Sequence, residues 1–137
     1  MHPANVDDHR ANSINEAASL YKANADASFL AGGHSLSPAM KLRLAEPGTL
    51  VDIAGIDDLK GITRDGDTIR IGALTTHAEV ENSDVVNDAC TALAEAAGMI
   101  GDPQVRNRGT IGGNVAHADP ASDYPGILLA LGATIVT

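Results

Sequence analysis

The sequence predicts an α+β fold in two lobes, a small α/β lobe over residues 1–54 and a larger α+β lobe over residues 55–137. Three observations lead to this. A helical pattern is followed by a short apolar stretch, residues 27–31, that stops at Gly32-Gly33; α/β folds commonly place ligands at such a strand end. Asp65-Gly66-Asp67 lies between two β-rich runs and signals a hairpin. Beyond it, apolar residues recur at helical spacing and glycines cluster in one six-residue stretch.

In the first lobe, residues 1–12 are polar and read as a lead-in segment. Ser13-Ile14-Asn15-Glu16 is a capping box, with Ser13 capping and Glu16 reaching back. Ile14, Ala17, Ala18 and Tyr21 then share a face, so a helix is expected to about Asn24. Residues 27–31 form the buried strand. Pro38 opens a short helical turn through Leu44, Pro47-Gly48 breaks it, and Leu50-Val51-Asp52-Ile53 is a second apolar strand.

The second lobe opens with the hairpin, Gly61-Ile62-Thr63-Arg64 against Thr68-Ile69-Arg70-Ile71. Thr76-His77-Ala78-Glu79 is another capping box and starts a short helix. Ser83 caps a longer one, on which Val86, Cys90, Leu93, Ala94 and Ala97 form one apolar stripe. Gly98 lies near its end and Asp102-Pro103 prevents its continuation. Asp119-Pro120-Ala121-Ser122-Asp123 is turn-like and can cap a last helix, with Pro125 in its first turn and Gly132 at its end. Residues 133–137 read as a strand.

Composition removes several functions. Net charge is −9, from 18 acidic and 9 basic residues, which argues against nucleic acid and anionic membrane surfaces. An anionic ligand must then be met by backbone N–H groups more than by a basic patch. One cysteine, Cys90, permits neither an internal disulfide nor an iron–sulfur cluster held by this chain alone. His117, Asp119 and Asp123 match no metal signature, so no metal is expected. No Ser-His-Asp or Cys-His arrangement can be argued, and no catalytic side chain is named. No apolar run is long enough to span a bilayer and the start lacks a signal peptide's pattern, so a cytoplasmic protein is expected.

The stretch Gly109-Thr110-Ile111-Gly112-Gly113-Asn114 and the turn Ala31-Gly32-Gly33-His34-Ser35 share a chemistry. Glycine lets another group approach the backbone closely, and successive N–H groups in such turns make a concave anion site. Gly-x-Gly-x-x-Gly is absent and no Gly-Lys-Ser/Thr follows, so neither a dinucleotide fingerprint nor a P-loop is present. Each turn alone can also be a simple connection between elements. Together they suit one phosphate-bearing ligand, with Thr110 and Asn114 adding side-chain hydrogen bonds.

Phe29-Leu30-Ala31-Gly32-Gly33-His34-Ser35-Leu36, continuing through Pro38-Ala39-Met40-Lys41-Leu42-Arg43-Leu44, resembles the first flavin loop of a known family. Asp102-Pro103-Gln104-Val105-Arg106-Asn107, followed by Gly109 to Asn114, resembles its second. The family is the FAD-binding medium subunits of molybdenum hydroxylases, the carbon monoxide and xanthine dehydrogenase type. Ile71-Gly72-Ala73 and Thr75-Thr76-His77-Ala78-Glu79-Val80 fit as well, and the resemblance runs from about Asp8 to the last residue.

The resemblance implies the family's two-lobed FAD-binding fold, with FAD extended between the lobes and its diphosphate between the loops. Ala31, Gly32, Gly33, His34, Ser35 and Leu36, and Thr110, Ile111, Gly112, Gly113 and Asn114, would contact FAD. Asp123 either caps a helix or bonds the ribityl hydroxyls, and both can hold through different oxygens. Ile100 and Gly101 either lie near the flavin ring or mark a helix end. Arg106 and Arg108 either steer an anion or, as favoured, pair with acidic neighbours or a partner. The implied partners are a molybdenum-cofactor large subunit and a 2Fe-2S small subunit, with electrons passing through FAD to an external acceptor. A stand-alone flavin oxidoreductase and a non-catalytic apo subunit are the rival functions. Family members continue past this point, so a truncated subunit that holds FAD weakly by itself is expected. Tyr124 is the only obvious stacking partner for a flavin ring.

Overall fold

The computed structural model describes residues 2–137. The chain divides into two compact units, Met1–Leu59 and Lys60–Thr137.

The first unit is a three-stranded parallel sheet with two helices. Strands β1 (Asp7–Arg10), β2 (Ala27–Leu30) and β3 (Thr49–Asp52) lie in the order β1-β3-β2. His9 and Phe29 both pair with Val51, which is fully buried at the centre. Strand β1 falls in the stretch read as a lead-in. Its four residues, Asp-Asp-His-Arg, are all exposed, so it has no apolar alternation to betray it and is held through its backbone ladder. Helix α1 (Ile14–Ala23) has Ser13 as N-cap, its Oγ accepting from Glu16 N–H at 3.2 Å. Glu16 reaches back one residue further than expected and accepts from Asn12 N–H at 2.8 Å. On the expected apolar face only Ala17 is buried; Tyr21 stays half-exposed and stacks on Phe29 at 4.6 Å. Helix α2 (Leu36–Lys41) begins two residues before Pro38, directly after the Gly32-Gly33 turn. A 3₁₀ turn, Asp57–Leu59, closes the unit.

In the second unit, β4 (Ile62–Asp65) and β5 (Thr68–Ile71) form the expected antiparallel hairpin, with Gly66 at φ 57° in its two-residue turn. Thr75 is buried and fastens the hairpin's base: its Oγ1 accepts from Gly61 N–H and donates to Gly61 O. Six helices follow: α3 (His77–Glu81), α4 (Asp84–Ala89), α5 (Thr91–Met99), α6 (Pro103–Arg106), α7 (Ile111–His117) and α8 (Tyr124–Ala130). The capping box of α3 is complete, Glu79 N–H to Thr76 Oγ1 and Thr76 N–H to Glu79 Oε2. The core is Val80, Val86, Leu93, Ala94, Ala96, Ala97, Ile100, Ile111 and Tyr124.

Three expectations fail here. The single helix from Ser83 is two, because Cys90 leaves helical geometry (φ −154°, ψ 69°); its side chain nevertheless packs against the core. The glycine stretch read as a loop is helix α7. Residues 133–137 form no strand, since no described strand lies beside them to share a ladder, and they are exposed. Among the described residues, no helix is long and apolar enough to cross a membrane, and no three or more His, Cys, Asp or Glu side chains gather as a metal site.

Candidate cofactor site

In the first unit the site residues occupy the reversal between β2 and α2. Ala31, Gly32, Gly33, His34 and Ser35 form the turn and Leu36 begins the helix. Gly33 takes φ 76°, which only glycine adopts without strain, and a Cβ there would sit 3.1 Å from Ser37 Oγ. The turn is held through its carbonyls: Ser37 N–H donates to Gly33 O at 2.9 Å, and His34 Nδ1 lies 3.1 Å from Gly32 O. The N–H groups of Gly32, Gly33, His34 and Ser35 donate to no acceptor among the described residues. Consecutive backbone donors left open at a strand end suit an anion.

The glycine stretch of the second unit is arranged differently. Thr110 is the N-cap of α7, and its Oγ1 accepts from Gly113 N–H at 3.1 Å. Ile111 N–H donates to Thr75 O at 3.0 Å, Gly112 N–H to Ala73 O at 2.9 Å, and Asn114 N–H to Thr110 O at 3.0 Å. All four backbone donors are thus engaged inside the chain, and Thr110's hydroxyl oxygen is occupied by its own helix. A Cβ on Gly112 would lie 2.6 Å from both Cβ and O of Ala73, so this glycine is required by backbone-to-backbone packing. A Cβ on Gly109 would lie 2.7 Å from His77 Nε2. What α7 leaves open is the Asn114 side chain: its Oδ1 accepts from Ser122 Oγ, and its Nδ2 donates to nothing among the described residues.

Ile100 is buried as the C-cap of α5, and Gly101 follows with φ 52°. This is the left-handed residue that ends a helix, so the helix-end reading holds. Arg106 fastens the same turn. Its Nη1 donates to Ile100 O and Gly101 O, both at 3.3 Å, and its Nε pairs with Glu81 Oε2 at 3.0 Å. The expectation that Arg106 pairs with an acidic neighbour is met.

Asp123 stands at the N-cap position of α8 but makes no side-chain cap bond, and its backbone is already helical (φ −73°, ψ −33°). The capping role is therefore absent and the exposed carboxylate is uncommitted. Tyr124, expected as a stacking partner, is fully buried and cannot offer its ring face. Its hydroxyl lies 3.0 Å from His77 Nδ1. Burial, then the Asp123 and Glu81 carboxylates, push its phenol far above the ordinary value.

Sequence reasoning missed two participants, Ser122 and the carbonyl-binding role of Arg106. Ser122's only signal was its place in the turn Asp119-Pro120-Ala121-Ser122-Asp123.

Residues 4–137 match the family described as the FAD binding domain in molybdopterin dehydrogenase. The chain is 47% identical over 137 residues to the carbon monoxide dehydrogenase medium chain of Hydrogenophaga pseudoflava, covering 99% of this chain and 48% of that one. It is 46% identical over 134 residues to the medium chain of Afipia carboxidovorans, covering 97% of this chain and 46% of that one. The solved carbon monoxide dehydrogenase from H. pseudoflava superposes with a TM-score of 0.93 at 48% identity, covering 95% of this chain and 46% of that chain. Quinoline 2-oxidoreductase from Pseudomonas putida 86 superposes with a TM-score of 0.84 at 31% identity, over 87% of this chain and 42% of that chain. The chain thus spans about half the length of these relatives. The open donors at Gly32 to Ser35 suit an anionic group such as a diphosphate. On the family match and these likenesses, the chain belongs to the FAD-binding domains of the molybdopterin dehydrogenase family.

Proposed function

We propose that this chain is the FAD-binding part of a multi-subunit molybdenum hydroxylase. In it, electrons taken from substrate at a molybdenum cofactor in a large subunit reach FAD through 2Fe-2S clusters of a small subunit. They then leave to an external acceptor. The observation that carries the reading is the row of uncommitted N–H groups at Gly32, Gly33, His34 and Ser35 in a chain of net charge −9. Such a chain repels anions at long range, so a diphosphate is met by fixed backbone dipoles rather than by basic side chains.

Bound flavin supplies redox chemistry that no side chain here can supply. The chain's residues bind and orient. The Gly32 to Ser35 donors take the charge of the diphosphate. On α7, whose backbone donors are engaged, the contact is made by the Asn114 amide and by the close approach that Gly113 permits, while Thr110, Ile111 and Gly112 hold the helix in place. The uncommitted Asp123 carboxylate accepts from ribityl hydroxyls. The Ile100-Gly101 turn, stiffened by Arg106, lies beside the ring.

The test is to purify the native polypeptide from its host and record a visible spectrum and metal content. A flavin spectrum, with molybdenum and iron in co-purifying chains, is expected. A flavin-free polypeptide that travels without those chains would overturn the reading.

A further inference from the structure

We propose that Ser122 is a positioning residue for the cofactor, acting through Asn114. This rests on the FAD reading above and deepens it.

An amide side chain is two-sided: its oxygen accepts and its NH₂ donates, and rotation by half a turn exchanges them. At Asn114 one end of the amide is taken by Ser122. Ser122 Oγ donates to Asn114 Oδ1 at 2.5 Å, from eight residues further along the chain. With the oxygen held, Nδ2 is left as an open donor, and both side chains are half-buried. Without the hydroxyl, the amide loses its partner and its rotamer is no longer held, so the open end is not kept in one place.

Ser122 is itself held by backbone. Ala118 reverses the chain in the left-handed region (φ 54°, ψ 36°), and its N–H donates to Asn114 O at 3.3 Å. Asp119 then closes a turn, its Oδ1 accepting from Ala121 N–H at 2.8 Å and its carbonyl from Ser122 N–H at 3.0 Å. The hydroxyl that sets Asn114 is thus delivered by a fixed frame. The next residue is Asp123, whose exposed carboxylate makes no bond within the chain. Helix α7 and the turn that follows it therefore present a held amide, Asn114, and an acceptor, the Asp123 carboxylate. A phosphorylated polyol asks for both.

A serine that only staples the turn before α8 would alter stability and leave the cofactor's contacts alone. A double-mutant cycle on the full-length apo subunit, titrated with FAD and followed by flavin fluorescence, separates the two. Ser122→Ala is expected to weaken FAD about fivefold, the scale of one hydrogen bond, whereas a serine that only staples the turn would lower the melting temperature and leave FAD affinity unchanged. Ser122→Thr is expected to restore affinity. Asn114→Ala is expected to weaken FAD about tenfold, and adding Ser122→Ala to it should cause no further loss. Undiminished affinity in Ser122→Ala, or losses that simply add, would overturn the positioning role while leaving FAD contact at Asn114 intact. Unchanged affinity in Asn114→Ala would instead remove α7 from the cofactor site, and this proposal with it.

Discussion

Asp123 heads the last helix without capping it, so the capping role its place in the sequence suggests is absent. An Asp before Tyr-Pro reads as a cap because short acceptors at that place usually take a backbone N–H of the first turn. Here the residue already has helical dihedrals, so its carboxylate is carried away from those donors and left exposed. Removing it should cost the fold nothing. Asp123→Ala is expected to leave the melting temperature unchanged and to weaken FAD about tenfold, the value of a hydrogen bond from a charged acceptor. A calorimetric titration beside a thermal melt checks both; unchanged affinity would leave Asp123 with no part in binding. Other residue roles were hidden in the sequence because they depend on distant partners. Tyr124 looked like an aromatic free to stack, but a core of small aliphatic residues closes over its ring and His77 takes its hydroxyl, 47 residues away in sequence. Arg106 was read as half of an ion pair, which is correct. Its bonds to two carbonyls at a helix end leave no trace in residue type.

At the scale of elements, what the sequence showed was whatever is built from local chemistry. The capping box at Thr76, the Asp-Gly hairpin and the cap at Ser13 each lie within about four residues and were read correctly. Strand β1 was missed because an exposed edge strand needs only a backbone partner. Helix α7 was missed for the opposite reason. Two adjacent glycines disfavour a helix, yet Gly112 must be glycine there because the Ala73 backbone is pressed against it. Tertiary contact overrides propensity, and the signature that resembles a flexible loop is that of a helix packed without a side chain between. This has a measurable consequence. Alanine is the better helix former, so Gly112→Ala should stabilise α7 if it were a solvent-facing helix. The 2.6 Å approach to Ala73 leaves no room for the methyl, and a loss of about 1–3 kcal/mol is expected from overpacking. Urea unfolding of Gly112→Ala measures it; a gain in stability would show that α7 does not need the close approach.

At the scale of the molecule, the folded chain leaves apolar surface uncovered in one region. Leu129 is 82% exposed, Ile135 65% and Val136 89%, and with Val115, Pro125 and Leu128 most of them border an open groove of about 340 Å³. The segment at residues 133–137, which reads as a strand, forms none and is exposed, with Ala133 and Ile135 on this groove. Contiguous exposed apolar patches on a folded protein mark interaction surface. The relatives are about twice as long as this chain. The second unit has no exposed aromatic to lie against a flavin ring, since Tyr124 is buried. Two outcomes are therefore expected of the 137 residues taken alone. They bind FAD more weakly than a polypeptide of the relatives' full length, and they associate through the uncovered face. Flavin titration of the two polypeptides side by side measures the first. Sedimentation measures the second, with Leu129→Lys and Val136→Lys together expected to shift the chain toward monomer without changing its helical content. Equally tight binding by both polypeptides, with monomeric behaviour of the shorter one, would show that the residues described here suffice to hold the cofactor and that the apolar face needs no cover.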